Sequence, residues 1–234
     1  MQFSTKLNKA TLIRRYKRFL ADVKCPDGSE MTIHCPNSGS MRSCSDPDSP
    51  ICYSTSDNPK RKYPHTLEMV QVNTTWVGVN TSLTNRIVAE AFSNGRIEEF
   101  QNFDSLKQEV KTSDGNRLDL MLLSGAQEIY IEIKNCSLVE DSCARFPDAV
   151  TSRGTKHLKE LIRLVEQGHT GVIFYLVQRL DADRFEPAAD IDPLYARTLV
   201  EAHSKGVMIL VYQADVTPLS IEITRSLPYG LPVI

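Results

Sequence analysis

Apolar and polar positions change their period near residue 80. Before it, residues 10–23 are rich in β-branched and aromatic side chains, and a Cys25-Pro-Asp-Gly-Ser29 turn leads into a short run at 31–34, which predicts a hairpin. Residues 36–50, dense in Ser, Pro, Asp and Gly, read as a loop. Further strands are expected at 51–55, 66–72 and 75–79, and five short strands in this space suit a small closed barrel.

After residue 80 helical spacing appears. Thr81 or Ser82 is placed to cap a helix whose apolar positions are Leu83, Ile87, Val88, Ala91 and Phe92, with Gly95 as its stop. Strands are predicted at 106–111, 118–123 and 129–134, the first two joined by an Asp114-Gly115 turn. A helix over 151–167, a strand at 172–177, a helix entered at Asp192-Pro193 and stopped at Gly206, and a strand at 207–212 complete the order. This alternation predicts an α/β (α+β) core behind the barrel, with domains at 1–80 and 81–234.

Length and composition agree. A chain of 234 residues, 41% hydrophobic and 24% charged, suits one large domain or two small ones and excludes a disordered chain. The longest apolar runs, 172–177 and 207–212, are six residues each, where a membrane helix needs about 20. The opening MQFSTKLNKA lacks an apolar stretch, so the expectation is a cytoplasmic protein without a secretory signal. None of the six cysteines forms a C-x-x-C pair. Buried free thiols are therefore expected, in preference to a zinc site drawn from His34, Cys35, Cys44 and Cys52.

Charge sharpens the picture. The net charge is −2, yet the segment from Lys6 to Lys24 holds seven basic residues against one acid. Arg14, Arg15, Lys17 and Arg18 surround Tyr16, and Lys60, Arg61 and Lys62 precede Tyr63. Basic side chains beside aromatics on a small barrel are the usual means of binding DNA without reading its sequence; the plainer alternative is that they solvate an edge strand.

The chemistry concentrates in Asp119 and, thirteen residues on, Glu132-Ile-Lys134. Alternation along a strand sends Glu132 and Lys134 to one side and Ile131 and Ile133 to the other. If the Asp119 strand lies alongside, Asp119 and Glu132 are candidate ligands for Mg²⁺ or Mn²⁺, and Lys134 is a candidate to steady developing charge. A chance strand pair with a surface salt bridge gives the same pattern. Glu90 is a candidate third carboxylate, its alternative being a pair with Arg86 one helical turn away. Lys156 and His157, on the following helix, are candidate phosphate contacts. Glu109 reads as a cross-strand pair.

The order helix with Glu, strand, strand with Asp, strand with Glu-x-Lys, helix resembles the PD-(D/E)xK nuclease core. The whole chain is similar to the sugar fermentation stimulation protein A family through Arg15-Tyr-Lys-Arg-Phe19, His34-Cys-Pro-Asn37, Trp76-Val-Gly-Val-Asn-Thr81, Asn85-Arg86 through Glu90, Arg117-Leu-Asp119, Ile131-Glu-Ile-Lys134, Phe146-Pro-Asp-Ala-Val150 and Arg153-Gly154. The resemblance implies an N-terminal OB-like barrel, a nuclease-like second domain, non-specific DNA binding and a regulatory role in sugar (maltose) metabolism. Glu90, Asp119, Glu132 and Lys134 all match the nuclease pattern, whereas Ser152 stands where that family usually has an acid. Two readings follow: a DNA-binding regulator with an intact nuclease-like site, or an active Mg²⁺-dependent nuclease. The sequence sets no oligomeric state, and a homodimer is compatible with it.

Overall fold

In a computed structural model of the chain, which describes residues 1–112 and 115–232, the barrel is built from β1 (Asn8–Tyr16), β2 (Leu20–Lys24), β3 (Glu30–His34), β4 (Pro50–Thr55) and β5 (His65–Val72), with β6 (Thr75–Gly78) added at the edge. The order is β3-β2-β1-β4-β5-β6, and parallel pairing of His34 with Thr66 closes the first five strands into a barrel. Alternate residues, among them Leu12, Val23, Ile33, Ile51, Leu67 and Val77, fill its interior.

The stretch 10–23, expected as one extended run, folds back on itself. Tyr16 pairs with Leu20, and the turn between them holds Lys17 and Arg18 at φ of 49° and 62°. Two consecutive left-handed residues that are not glycine are uncommon, so turn residues gave no sign of this tip.

Behind the barrel comes a six-stranded sheet of β7 (Ser105–Lys111), β8 (Arg117–Ser124), β9 (Gln127–Cys136), β12 (Thr170–Val177), β14 (Met208–Val216) and β15 (Ile221–Ser226). Their order is β15-β14-β12-β9-β8-β7. The Asp114-Gly115 turn expected between β7 and β8 lies partly outside the described residues. Helix α1 (Thr84–Ser93) covers one face, where Ile87, Val88 and Phe92 meet Leu120, Ile131 and Phe174. Helices α2 (Ser152–Glu166) and α3 (Pro193–Ser204) cover the other through Leu158, Leu161, Tyr195 and Leu199, packed on Ile173, Tyr175 and Val177. Both faces of the central strand are thus buried, the condition under which a strand reads as a continuous apolar run.

The start of α1 is preceded by a 3-10 turn at Thr81–Leu83, and Asn80 caps that turn by accepting the Ser82 N–H. A small sheet, β10 (Leu138–Glu140), β11 (Cys143–Phe146) and β13 (Arg184–Pro187), lies beside the main one. Its strands of three or four residues carry too little pattern to be anticipated.

Barrel and α/β layer are joined through backbone and buried polar groups. The Gly78 N–H donates to the Gln178 carbonyl at 2.9 Å, the Met41 N–H to Asp148 Oδ2 at 3.0 Å, and buried Arg179 to Ser137 O at 2.8 Å and Ser43 Oγ at 3.2 Å. A Cβ at Gly39 would stand 2.5 Å from Asp148 Oδ2, so glycine permits the close approach at that edge.

Candidate active site

The cleft begins where two strands part. The β8–β9 ladder runs from Ser124 paired with Gln127 to Leu120 paired with Ile131 and goes no further. The next residue of β8 is Asp119. Its Oδ2 accepts the Ile133 N–H at 2.8 Å, a donor that the ladder no longer satisfies, and its Oδ1 accepts Asn85 Nδ2 from the start of α1 at 2.9 Å. Burial, and secondly the charge of Glu132, push the Asp119 carboxyl above its usual range.

Glu132 is only 2% exposed. Lys134 Nζ donates to its Oε1 at 2.5 Å, and His157 Nδ1 meets the same oxygen. Burial pushes this carboxyl up, but Lys134 and His157 together outweigh it and hold Glu132 below its usual range. Its second oxygen, Oε2, is buried and has no hydrogen-bond partner among the described residues.

Helix α2 supplies the remaining groups. Thr151 caps it by accepting the Gly154 N–H at 3.0 Å, and Asp192 fixes Thr151 by accepting its N–H at 2.8 Å. One turn apart on the helix, Arg153 Nε donates to His157 Nε2 at 3.3 Å. That bond assigns the ring proton to Nδ1, which therefore donates to Glu132. The Lys134 ammonium, 3.2 Å from Nδ1, is then directed to the Glu132 oxygen and not to the ring.

Asn85, Asp119, Glu132, Lys134, Thr151 and Arg153 line a cleft of about 430 Å³ between the two units. Its floor is Asp119, Glu132 and Lys134, one wall carries Arg18, Asn37 and Ser38 of the barrel, and the opposite wall runs from Phe146 to Thr151 with Arg153. Asp119, Glu132 and Lys134 are brought together as their strand positions require.

Other candidates lie elsewhere. Glu90 is not behind the cleft: its carboxylate pairs with the Met1 ammonium at 2.9 Å, in a separate pocket with Asn94 and Ile221. Only the first turn of α1 reaches the cleft, and Glu90 lies about 140° round the helix and about 7.5 Å along it from Asn85. His157 is a buried partner of Glu132, 7% exposed, and not an open phosphate contact. Lys156 is exposed beside it and does not line the cleft.

Arg15 is also corrected. Its guanidinium donates to the carbonyls of Arg18, Asn37, Gly39 and Ser40 at 2.7–3.0 Å, so it braces the barrel loops. Arg14 pairs with Asp22 at 2.8 Å and lies over the Tyr16 ring, 5.0 Å from its centroid. Lys17 and Arg18 are exposed at the hairpin tip, and Arg18 reaches the cleft wall. Lys60, Arg61 and Lys62 are exposed on the β4–β5 loop, Arg61 donating to Thr66 Oγ1 at 2.9 Å and Lys62 lying over Tyr63. Glu109 pairs across strands with Arg117 at 3.1 Å, as expected.

Asn85, Arg153 and Asp148 are cleft residues to which sequence reasoning gave no role, although all three fall within motif stretches quoted above. No group of three His, Cys, Asp or Glu side chains able to hold a metal occurs among the described residues. The pair Asp119 and Glu132 still fits a hard cation that takes one or two carboxylates and keeps its waters, because Glu132 Oε2 offers a buried acceptor without a donor.

Two family models match the chain: an SfsA N-terminal OB domain over residues 13–79 and a sugar fermentation stimulation protein RE domain over residues 82–220. The chain belongs to the sugar fermentation stimulation protein family. It is 58% identical to the homolog of Desulfotalea psychrophila over 97% of this chain and 94% of that one, and 45% identical to that of Shewanella piezotolerans over 99% and 100%. The solved structure of Pyrococcus furiosus SfsA in complex with Ca²⁺ is similar at a TM-score of 0.89, with 23% identity over 99% of this chain and 98% of that one. That likeness covers the OB barrel and the α/β domain together.

Proposed function

We propose that this protein is a divalent-cation-dependent phosphodiesterase acting on nucleic acid, which it holds without sequence readout through the basic tip of its barrel. The observation that carries this reading is the unpartnered Oε2 of Glu132, beside Asp119 and Lys134 on the floor of an inter-domain cleft. The same hard, oxygen-seeking cation chemistry is supported by the Ca²⁺ complex of the Pyrococcus relative. The family's name further supports a role in regulating sugar metabolism.

Each residue has a task in this reading. Asp119 and Glu132 would hold Mg²⁺ or Mn²⁺, which when bound supplies a water of lowered pKa and neutralises phosphate charge. Asn85 and the Ile133 N–H hold both Asp119 oxygens in place. His157 Nδ1–H fixes the Glu132 carboxylate, and Arg153 fixes the ring. The Lys134 ammonium, anchored on Glu132, stands ready for negative charge growing on the phosphoryl oxygens. The Nη groups of Arg153 are left free to meet a phosphate at the cleft mouth.

A second reading, DNA binding without cleavage, is favoured by one observation: Lys134 is already neutralised by Glu132. Incubation of the pure protein with single-stranded, plasmid and branched DNA and with RNA, in Mg²⁺, Mn²⁺ or EDTA, separates the two. Cation-dependent cleavage of any of them supports the phosphodiesterase; binding with no cleavage in either cation leaves the second reading.

A further inference from the structure

We propose that the start of α1 forms a second phosphate subsite, so that the cleft takes one strand of a polynucleotide, with the phosphate next to the scissile one held by Thr84 and Arg18. The proposal rests on the phosphodiesterase reading for the identity of the neighbouring site, and it deepens that reading to a substrate class.

Thr84 is the first residue of α1, is 4% exposed and lines the cleft. Its Oγ1 is buried and has no hydrogen-bond partner among the described residues. An unpaired buried hydroxyl is costly, and Thr84 is one of the residues that line the polar cleft, where a ligand oxygen would complete it. The neighbouring backbone donors are already in use: the Ser82 N–H goes to Asn80 Oδ1 and the Thr84 N–H to the Thr81 carbonyl. The hydroxyl is therefore the donor on offer, with the positive end of the helix dipole behind it.

Arg18 supplies the charge. Its backbone sits at a left-handed φ of 62°, held there by the bond from Arg15 to its carbonyl at 2.8 Å. Arg18 lines the cleft and is exposed, and its guanidinium has no ion pair or hydrogen bond among the described residues. A strained backbone, braced by one arginine so that a second arginine stands unpaired at a cavity, is a pattern of functional sites. The subsite connects directly to the carboxylates, because the residue after Thr84 is Asn85, which binds Asp119.

The volume of the cleft suits a separated strand. At about 430 Å³ it is within the roughly 300–1,000 Å³ that encloses a small-molecule ligand, a size that matches one or two nucleotides. The half-exposed Phe19 beside Arg18 offers a base a stacking surface of the kind single-strand binders use.

The test is fluorescence-anisotropy titration, in EDTA so that nothing is cut, with labelled single strands of about twelve nucleotides as DNA and as RNA, and with the same sequence as a blunt duplex. Thr84→Val preserves shape and removes a hydroxyl that has no internal partner, so its urea midpoint should equal that of the wild type. Single strands should bind at least about tenfold more tightly than duplex. Thr84→Val and Arg18→Gln should each weaken single-strand binding by about tenfold, and the DNA and RNA arms identify the sugar. Wild-type affinity in both variants, or tighter binding of duplex, overturns the proposal. Normal cleavage by the wild type with unaltered variant binding would sink the subsite alone; variant-dependent binding with no cleavage in any cation would sink hydrolysis and leave the subsite standing.

Discussion

The Asp119 carboxylate accepts the Ile133 N–H at 2.8 Å, one residue beyond the last β8–β9 pair. The same side chain that opens the sheet therefore also repairs it. Asp119→Asn keeps an acceptor for that N–H and removes a charge beside Glu132. It should melt at or above the wild-type temperature and should lose the rise in melting temperature that Mn²⁺ gives the wild type. Scanning calorimetry with and without Mn²⁺ checks this, and a surviving Mn²⁺ response would remove Asp119 from the cation site.

Asp119 and Glu132 make opposite contributions to stability against pH. Asp119 titrates above its usual range, so between that range and its raised value the folded state holds the extra proton and stability falls as pH rises. Glu132, held low by Lys134 and His157 against its burial, stabilises above the ordinary Glu range, and that stability is lost as pH falls through its depressed value. Relative to the wild type, Asp119→Asn should gain stability as pH rises above the usual carboxylate range, and Glu132→Gln should lose stability as pH rises from the depressed value of Glu132 up to that range. Urea midpoints across a pH series measure both slopes, and parallel curves would contradict the assignment.

His157 acts through Glu132. His157→Ala should lower cleavage by about 10–100-fold, leave single-strand affinity unchanged, and move the acidic limb of the pH–rate profile upward as Glu132 loses a partner. A lower rate with an unmoved profile would make the role merely structural.

Arg15 and Arg18 are three residues apart and should behave differently. Arg15→Ala strips donors from four carbonyls and should cost roughly 2–4 kcal/mol in urea unfolding. Arg18→Gln should stay within about 0.5 kcal/mol of the wild type while making the dependence of log affinity on log salt shallower by about 0.7. Equal stabilities would contradict the bracing role of Arg15.

What could be read in advance follows from the range of the forces involved. The α3 boundaries were legible because Asp192 caps the helix and Gly206, at φ 94°, follows it. The convergence of Asp119, Glu132 and Lys134 was legible because strand alternation is strict and β8 and β9 are neighbours in sequence. The role of Arg15 was not, since its four acceptors are carbonyls, which leave no mark on side-chain pattern. Glu90 misled for a related reason: helical spacing fixes which residues share a face, but not how far along the helix the cleft reaches. The pairing of Met1 to Phe3 with the 219–221 segment that takes up Glu90 joins residues too far apart in sequence for any local signal.

The most direct measurement is the initial rate of cleavage of a labelled single strand in Mn²⁺, for nuclease-free wild type and for Lys134→Ala purified in parallel. The account predicts cleavage by the wild type that stops in EDTA, and a rate about 10²–10³-fold lower for Lys134→Ala at nearly unchanged affinity. Equal rates in the two proteins, or no cleavage by the wild type in Mn²⁺, would contradict it.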